Sequence, residues 1–167
     1  AGYVTVEVDG FRLLCINVSG RVYLDPLASP FDTVDRILER EKGQYDLAIM
    51  DIHAEATSEK LALGYYFDGR IHMMFGTHTH VPTADARVLT KGTGYVTDLG
   101  MTGPRNSVLG IQPELSIAKF RGDLPSRYQW AEGPTKLEAV LFTIDSQTGL
   151  CRKAERVDCY DEDSSRG

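Results

Sequence analysis

The sequence predicts an α/β fold organised on parallel strands, and three observations predict it. Two short apolar runs, Asp46–Ile52 and Ile71–Phe75, are bounded by turn residues in the manner of buried parallel strands. Between them, Thr57–Gly69 has the length of the crossover helix that parallel strands require. Each run leads into histidine, the first at His53 and the second at Gly76-Thr77-His78-Thr79-His80. Imidazoles therefore gather at the carboxyl ends of neighbouring strands, the edge at which open α/β sheets bind ligands.

The other elements follow in order. Gly2–Val8 alternates, Asp9-Gly10 signals a tight turn, and Phe11–Val18 returns as the second arm of a hairpin. Ser19–Pro30 carries Gly20, Pro26 and Pro30 and reads as a loop, with Arg21 in it read as solvated ahead of a phosphate or substrate contact. Phe31–Lys42 reads as a helix, with Pro30 and Asp32 suited to its start and Val34, Ile37 and Leu38 on its apolar face. Gly43 marks its end. In Thr57–Gly69, Thr57 or Ser58 is expected to cap the helix, and Leu61, Leu63, Tyr65, Tyr66 and Phe67 to form its apolar face. Gly64 leaves room for close packing. Arg87–Leu89 and Gly94–Thr97 form a hairpin, and Asp98–Asn106 a glycine-rich loop. Ile111–Phe120 is helical, with Pro113 in its first turn. Arg127–Trp130, Lys136–Ile144 and Leu150–Val157 read as three antiparallel strands. Residues 1–160 make one domain, and 161–167 a mobile acidic tail with nothing to bury.

A chain of 167 residues supports one domain with a substantial core. Its hydrophobic and charged fractions, 42% and 25%, are those of an ordinary globular protein. Net charge of −6 and a pI near 5.2 argue against an extended nucleic-acid surface, though a small nucleotide remains compatible. No apolar run is long enough to span a bilayer. Cys15, Cys151 and Cys159 have no zinc-site spacing, and their odd number fits a reducing cytoplasm. Cys15 reads as a small core residue.

Neutral imidazole is a metal ligand suited to Zn, Fe, Mn and Ni. In an extended His-x-His both side chains project to one face, so His78 and His80 reach one ion or two adjacent ions, and His53 closes on them from the neighbouring strand. Gly76 lets the backbone bend as it leaves the sheet. For a single histidine the plainer reading is a hydrogen-bonded sheet-edge residue; three at two adjacent strand ends favour metal. Asp51 shares the strand face of His53 and either orients a histidine or serves a cap or an arginine. Glu55 and Glu59 are placed at the helix start, with a supporting role behind a metal ligand open to Glu55. Thr77 and Thr79 donate hydrogen bonds within their loop, and Asp98 holds the turn of the Gly-Met-Thr-Gly loop, a substrate role for that loop being the weaker reading. His72 is out of register with the His-x-His pair and reads as structural, and Tyr65, Tyr66 and Trp130 read as core in preference to base-stacking platforms.

Three stretches resemble a known pattern: Asp51-Ile52-His53-Ala54-Glu55-Ala56-Thr57-Ser58-Glu59-Lys60, Gly76-Thr77-His78-Thr79-His80-Val81 and Thr97-Asp98-Leu99-Gly100-Met101-Thr102-Gly103-Pro104. They are similar to the second half of the calcineurin-like metallophosphoesterase signature, and most of all to its bacterial YmdB-like phosphodiesterase branch. The similarity runs from Gly2 to about Tyr160. It implies the carboxy-terminal part of a metallophosphoesterase-like β-sandwich flanked by helices. It also implies a binuclear site of divalent transition metals, iron or manganese rather than zinc, that share a hydroxide and hydrolyse a phosphodiester. A 2′,3′-cyclic nucleotide is the expected substrate. By position, His53 and His78 resemble ligands of one metal and His80 a ligand of the other. All three must be neutral to ligate, so activity is expected to fall in acid.

The family's amino-terminal motifs, Gly-Asp-x-x-Gly and Gly-Asn-His, do not occur here. The general-acid histidine of Gly-Asn-His therefore has no counterpart among these residues. The expectation is a fragment of a longer enzyme, with homo-oligomerisation or association with a separate amino-terminal half as the partner readings. A non-catalytic assembly or ligand-binding domain of the same fold is the alternative. An amidohydrolase barrel ranks last, because the chain is too short for one.

Overall fold

The computed structural model of the chain describes residues 2–25, 27–124 and 127–161. Its centre is a six-stranded sheet in the order β1-β2-β3-β4-β6-β5. The strands are β1 (Tyr3–Val8), β2 (Phe11–Ser19), β3 (Leu47–His53), β4 (Met73–Thr77), β5 (Arg87–Val88) and β6 (Gly94–Val96). β2, β3, β4 and β6 run parallel, while β1 and β5 pair antiparallel at the two edges. Three helices accompany them: α1 (Pro30–Arg40), α2 (Thr57–Phe67) and α3 (Pro113–Arg121). The α/β class and the central β-α-β unit are as expected. Among the described residues no helix is long and apolar enough to cross a membrane.

Helix α1 starts as its sequence dictates. Ser29 accepts from the Asp32 N–H, Pro30 opens the first turn, and Val34, Ile37 and Leu38 are buried. Helix α2 differs from the expectation. Neither Thr57 nor Ser58 caps it; Ala56 stands at that position with no side-chain bond. Its buried residues are Lys60, Leu63, Gly64 and Phe67, an i, i+3, i+4, i+7 stripe. Tyr65 and Tyr66 fall off that stripe and are exposed. Gly64 does allow close packing, since a Cβ there would meet the Tyr95 ring at 2.7 Å.

The two faces of the sheet are unequal. Leu14, Ile16, Ala48, Met50, Ile52 and Met74 point one way and form the buried core. The opposite residues of the same strands, among them Leu13, Cys15, Ile49 and Phe75, line an open apolar hollow of about 630 Å³. Burial in β2, β3 and β4 therefore alternates, although their sequences read as continuous apolar runs buried on both sides. Cys15 lies half-buried on the open face rather than in the core.

The carboxy-terminal third is more broken than its sequence suggests. The loop expected over Asp98–Asn106 contains strand β7 (Thr102–Pro104). The strand expected over Lys136–Ile144 divides into β8 (Thr135–Leu137) and β9 (Val140–Ile144), which join different sheets. The division falls at Glu138, whose buried carboxylate accepts from the Met101 N–H at 2.8 Å and from Lys136 at 2.6 Å. β9 pairs with β10 (Cys151–Arg156), and β8 with β7 and β11 (Cys159–Tyr160). The strand expected at Arg127–Trp130 is only a bridge from Trp130 to Ile111. Asp161 is tied to Thr135 through its backbone N–H. The rest of the expected acidic tail, 162–167, lies outside the described residues.

Candidate metal centre

The parallel pairing of β3 and β4 sets His53 opposite Thr77, and Asp51 opposite Phe75. From this register a hydrogen-bonded chain runs toward the sheet edge. Asn17 on β2 donates to Asp51 Oδ2 at 2.7 Å, and the Thr77 hydroxyl donates to Asp51 Oδ1 at 2.8 Å. The same hydroxyl lies 3.0 Å from His53 Nδ1. Its single proton is spent on the carboxylate, so it accepts from His53 Nδ1–H. Neutral His53 then carries its lone pair on Nε2. The Thr77 hydroxyl thus reaches across to β3 rather than staying within its own loop.

A second carboxylate fixes the other imidazole. Glu55 Oε2 is 3.0 Å from His78 Nε2. A carboxylate only accepts, so His78 Nε2 carries the proton and Nδ1 the lone pair. Glu55 therefore meets a histidine rather than serving the start of α2. His53 Nε2 and His78 Nδ1 face each other at 3.2 Å. Two lone pairs held that close require either a shared proton or a cation. His53 Nε2 and His78 Nδ1 are the two ring nitrogens that would hold such a cation, which would act there as a Lewis acid. Asp51, through Thr77, and Glu55 stand behind the two rings as orienting acceptors do in metal sites. The donor set fits a divalent transition metal.

His78 and His80 have φ of 99° and 63°, so the pair does not continue the strand as the sequence implied. β4 ends at Thr77, and the two histidines share a turn with left-handed backbone, a conformation that costs about 1–3 kcal/mol where it occurs in residues other than glycine. His80 lines the same cavity of about 450 Å³ as His53 and His78. Among the described residues no three His, Cys, Asp or Glu side chains converge on one point. Gly76 does not bend the chain; it lies inside β4, where a Cβ would stand 1.8 Å from the Thr97 carbonyl oxygen.

The turn is held by a buried pair that sequence reasoning missed. Lys60 Nζ donates to Asp98 Oδ2 at 2.7 Å, with both side chains 1% exposed. Asp98 also accepts from the Thr79 N–H and hydroxyl and from the Gly100 N–H. Burial pushes the Asp98 carboxyl up, but Lys60, Gly100 and Thr79 outweigh it and hold it below its ordinary value. Asp98 thus fixes the residue between the two histidines as well as its own turn. The i, i+3, i+4, i+7 spacing of Lys60, Leu63, Gly64 and Phe67 was the signal that places this lysine inside.

The remaining candidates lie elsewhere. Glu59 stands in the first turn of α2, as expected, and also accepts from the Arg21 and Val22 N–H groups, which pins the loop after β2. The Arg21 residue itself is exposed. His72 Nδ1 accepts from the Ala48 N–H outside the site, and burial lowers its pKa. Trp130, expected in the core, is 76% exposed and lines the histidine cavity.

The model of the YmdB-like protein family matches residues 1–157. The chain belongs to the YmdB-like family. A relative named 2′,3′-cyclic-nucleotide 2′-phosphodiesterase, from Bacillus subtilis, is 47% identical to the YmdB-like chain over 93% of it and 59% of its own length. A solved protein of Thermus thermophilus, described as hypothetical, superimposes with a TM-score of 0.90 at 41% identity, over 96% of the chain and 62% of its own. A solved Mycoplasma pneumoniae protein described as a novel phosphatase gives 0.87 at 35% identity, over 98% and 58%. The chain thus spans about three fifths of the length of these relatives.

Proposed function

We propose that the chain is the histidine-bearing part of a cytoplasmic, metal-dependent phosphodiesterase acting on 2′,3′-cyclic nucleotides. The observation that carries this reading is the 3.2 Å approach of His53 Nε2 and His78 Nδ1, with each opposite ring nitrogen already engaged. The name of the Bacillus subtilis relative supports the substrate class. His53 and His78 are assigned to one ion and His80 to a second, with iron or manganese preferred over zinc. When bound, such ions polarise phosphoryl oxygens and lower the pKa of water.

The chain's own residues orient and anchor. Asp51 and Thr77 fix the His53 tautomer, Glu55 fixes that of His78, and Asp98 with Lys60 holds the turn bearing His78 and His80. In the hydrolysis, water adds to phosphorus, one ribose P–O bond breaks, and the released oxygen takes a proton. The group that gives that proton, and the remaining ligands, are assigned to polypeptide beyond these residues, in the same chain or an associated one. Homo-oligomerisation is the other assembly compatible with this reading.

Intact mass with metal analysis, followed by assays on 2′,3′-cyclic AMP, tests the proposal. About two transition-metal ions per complete unit, with turnover, supports it. Metal bound without turnover in the complete unit favours the non-catalytic alternative.

A further inference from the structure

The cavity that holds the three histidines has a second wall. Val108 and Ile111 exchange both backbone hydrogen bonds, N to O at 2.9 and 3.0 Å, and so close a two-residue turn at Leu109-Gly110. Both turn residues have positive φ, 53° and 95°. That geometry favours asparagine or aspartate followed by glycine; a leucine there is strained. Leu109 is nonetheless exposed and lines the cavity.

Trp130 stands against this turn. It bridges to Ile111, and the Ala131 N–H bonds the Gly110 carbonyl at 2.9 Å. A Cβ on Gly110 would lie 3.5 Å from indole Cζ3, so the ring packs beside the bare glycine, while the residue as a whole stays 76% exposed. Met101 and Pro104 continue the same wall. An indole seated on backbone, 76% exposed and sharing one cavity with three histidines, is an aromatic surface awaiting a planar partner. A cavity of about 450 Å³ is of the size that takes a small ligand.

We infer that Trp130 is the base platform of this site: a nucleobase stacks on its open face while the phosphate lies at His53, His78 and His80. The inference rests on the phosphodiesterase reading and deepens it from phosphate chemistry to base binding. The wall beside the indole carries Met101, Pro104, Leu109 and Gly110, with the Thr102 hydroxyl among them. Stacking itself tolerates every base, because each has a π-face.

The chain holds one tryptophan, so its tryptophan emission reports Trp130 alone. Titration with adenosine 3′-monophosphate is expected to quench that emission, and ribose 5-phosphate to leave it unchanged. Equal responses to both, or no response to either, overturn the platform. In the complete enzyme, Trp130→Ala is expected to raise KM for 2′,3′-cyclic AMP roughly tenfold more than for glycerol 1,2-cyclic phosphate, the same five-membered diester without a base. Trp130→Phe should recover most of that difference. Leu109→Asn suits the left-handed turn and removes the neighbouring apolar wall; a smaller rise in KM for the nucleotide with a folded protein is expected. Equal changes for both diesters reject base stacking. An indole already shielded and unresponsive in the complete enzyme means that other polypeptide covers it, and also rejects the platform. Hydrolysis without base-dependent quenching removes the platform and leaves the phosphodiesterase. Base-dependent quenching without hydrolysis does the reverse.

Discussion

The two faces of the central sheet are made by the same strands and do different work. On β3, Ala48, Met50 and Ile52 point into the core, while Asp51 and His53 point to the other side. On β4, Met74 is buried, while Thr77 completes the chain from Asp51 to His53. The buried face fixes where the strands lie. The other face converts that register into the positions of ring nitrogens, because His53 and Thr77 are direct neighbours across β3 and β4. Period-two alternation thus lets stability and site chemistry be changed separately.

The largest effect expected is on the site face. His78→Ala removes one of the two facing nitrogens and the partner of Glu55. It should abolish metal binding and lower activity of the complete enzyme by about a thousandfold or more, on the scale of a lost metal-assisted step. The melting transition without metal should shift by no more than about 1 kcal/mol, as the residue is partly exposed and outside the core. Metal analysis and thermal melts check both halves; full metal content in the variant rejects the assignment.

The complementary break is Met50→Ala. Met50 is wholly buried between neighbouring strands, so the substitution should cost about 2–5 kcal/mol from lost burial and the cavity left behind. Metal stoichiometry in the protein that remains folded should be unchanged. Urea unfolding measures the first, and metal analysis of the folded fraction the second. Loss of metal at full stability would show that the faces are not separable.

How far these faces could be read in advance depended on the residue. The β-α-β unit was legible because apolar runs and crossover length constrain topology strongly. The inequality of the faces was not, because Leu13, Cys15, Ile49 and Phe75 are as apolar as the core residues beside them. Lys60 was overlooked because a lysine reads as surface unless its helical stripe is followed. Tyr65, Tyr66 and Trp130 were placed inside because large aromatic rings usually are. The Glu138 break escaped notice because its cause lies at Met101, distant in sequence. The His-x-His motif pointed to the candidate site but not to its backbone: His78 and His80 have positive φ, and Asp98, distant in sequence, accepts from Thr79 between them.

A smaller change sharpens the site face without removing a ligand. Asp51→Asn keeps the size of the side chain but loses the carboxylate that commits the Thr77 proton. Thr77 can then donate to His53 Nδ1, which moves the imidazole proton to Nε2, the nitrogen facing His78. Metal affinity should fall by about 10–100-fold, the cost typical of losing an orienting partner behind a ligand. Competition with a chelator measures it, and an unchanged affinity would place Asp51 outside the site's design.

The smallest expected effect is one of pH, and it separates the buried salt bridge from both faces. Asp98 has a carboxyl pKa below its ordinary value: burial raises it, but Lys60, Gly100 and Thr79 together lower it further. The folded state therefore favours the ionised form more than the unfolded state does. The stabilisation is fully present above the unfolded value of about 4 and is lost as pH falls through the depressed folded value. Urea midpoints measured from neutral pH downward should show this loss. In Asp98→Asn, the curve should be lower at neutral pH, because Lys60 is left buried without its anion, and should approach the parent's in acid, where Asp98 is protonated as well. Met50→Ala should instead displace the whole curve without changing its shape, because no proton is exchanged at that position. An acid slope equal in Asp98→Asn and the parent would mean that Asp98 is not the group responsible, and that the turn bearing His78 and His80 keeps its place by other contacts.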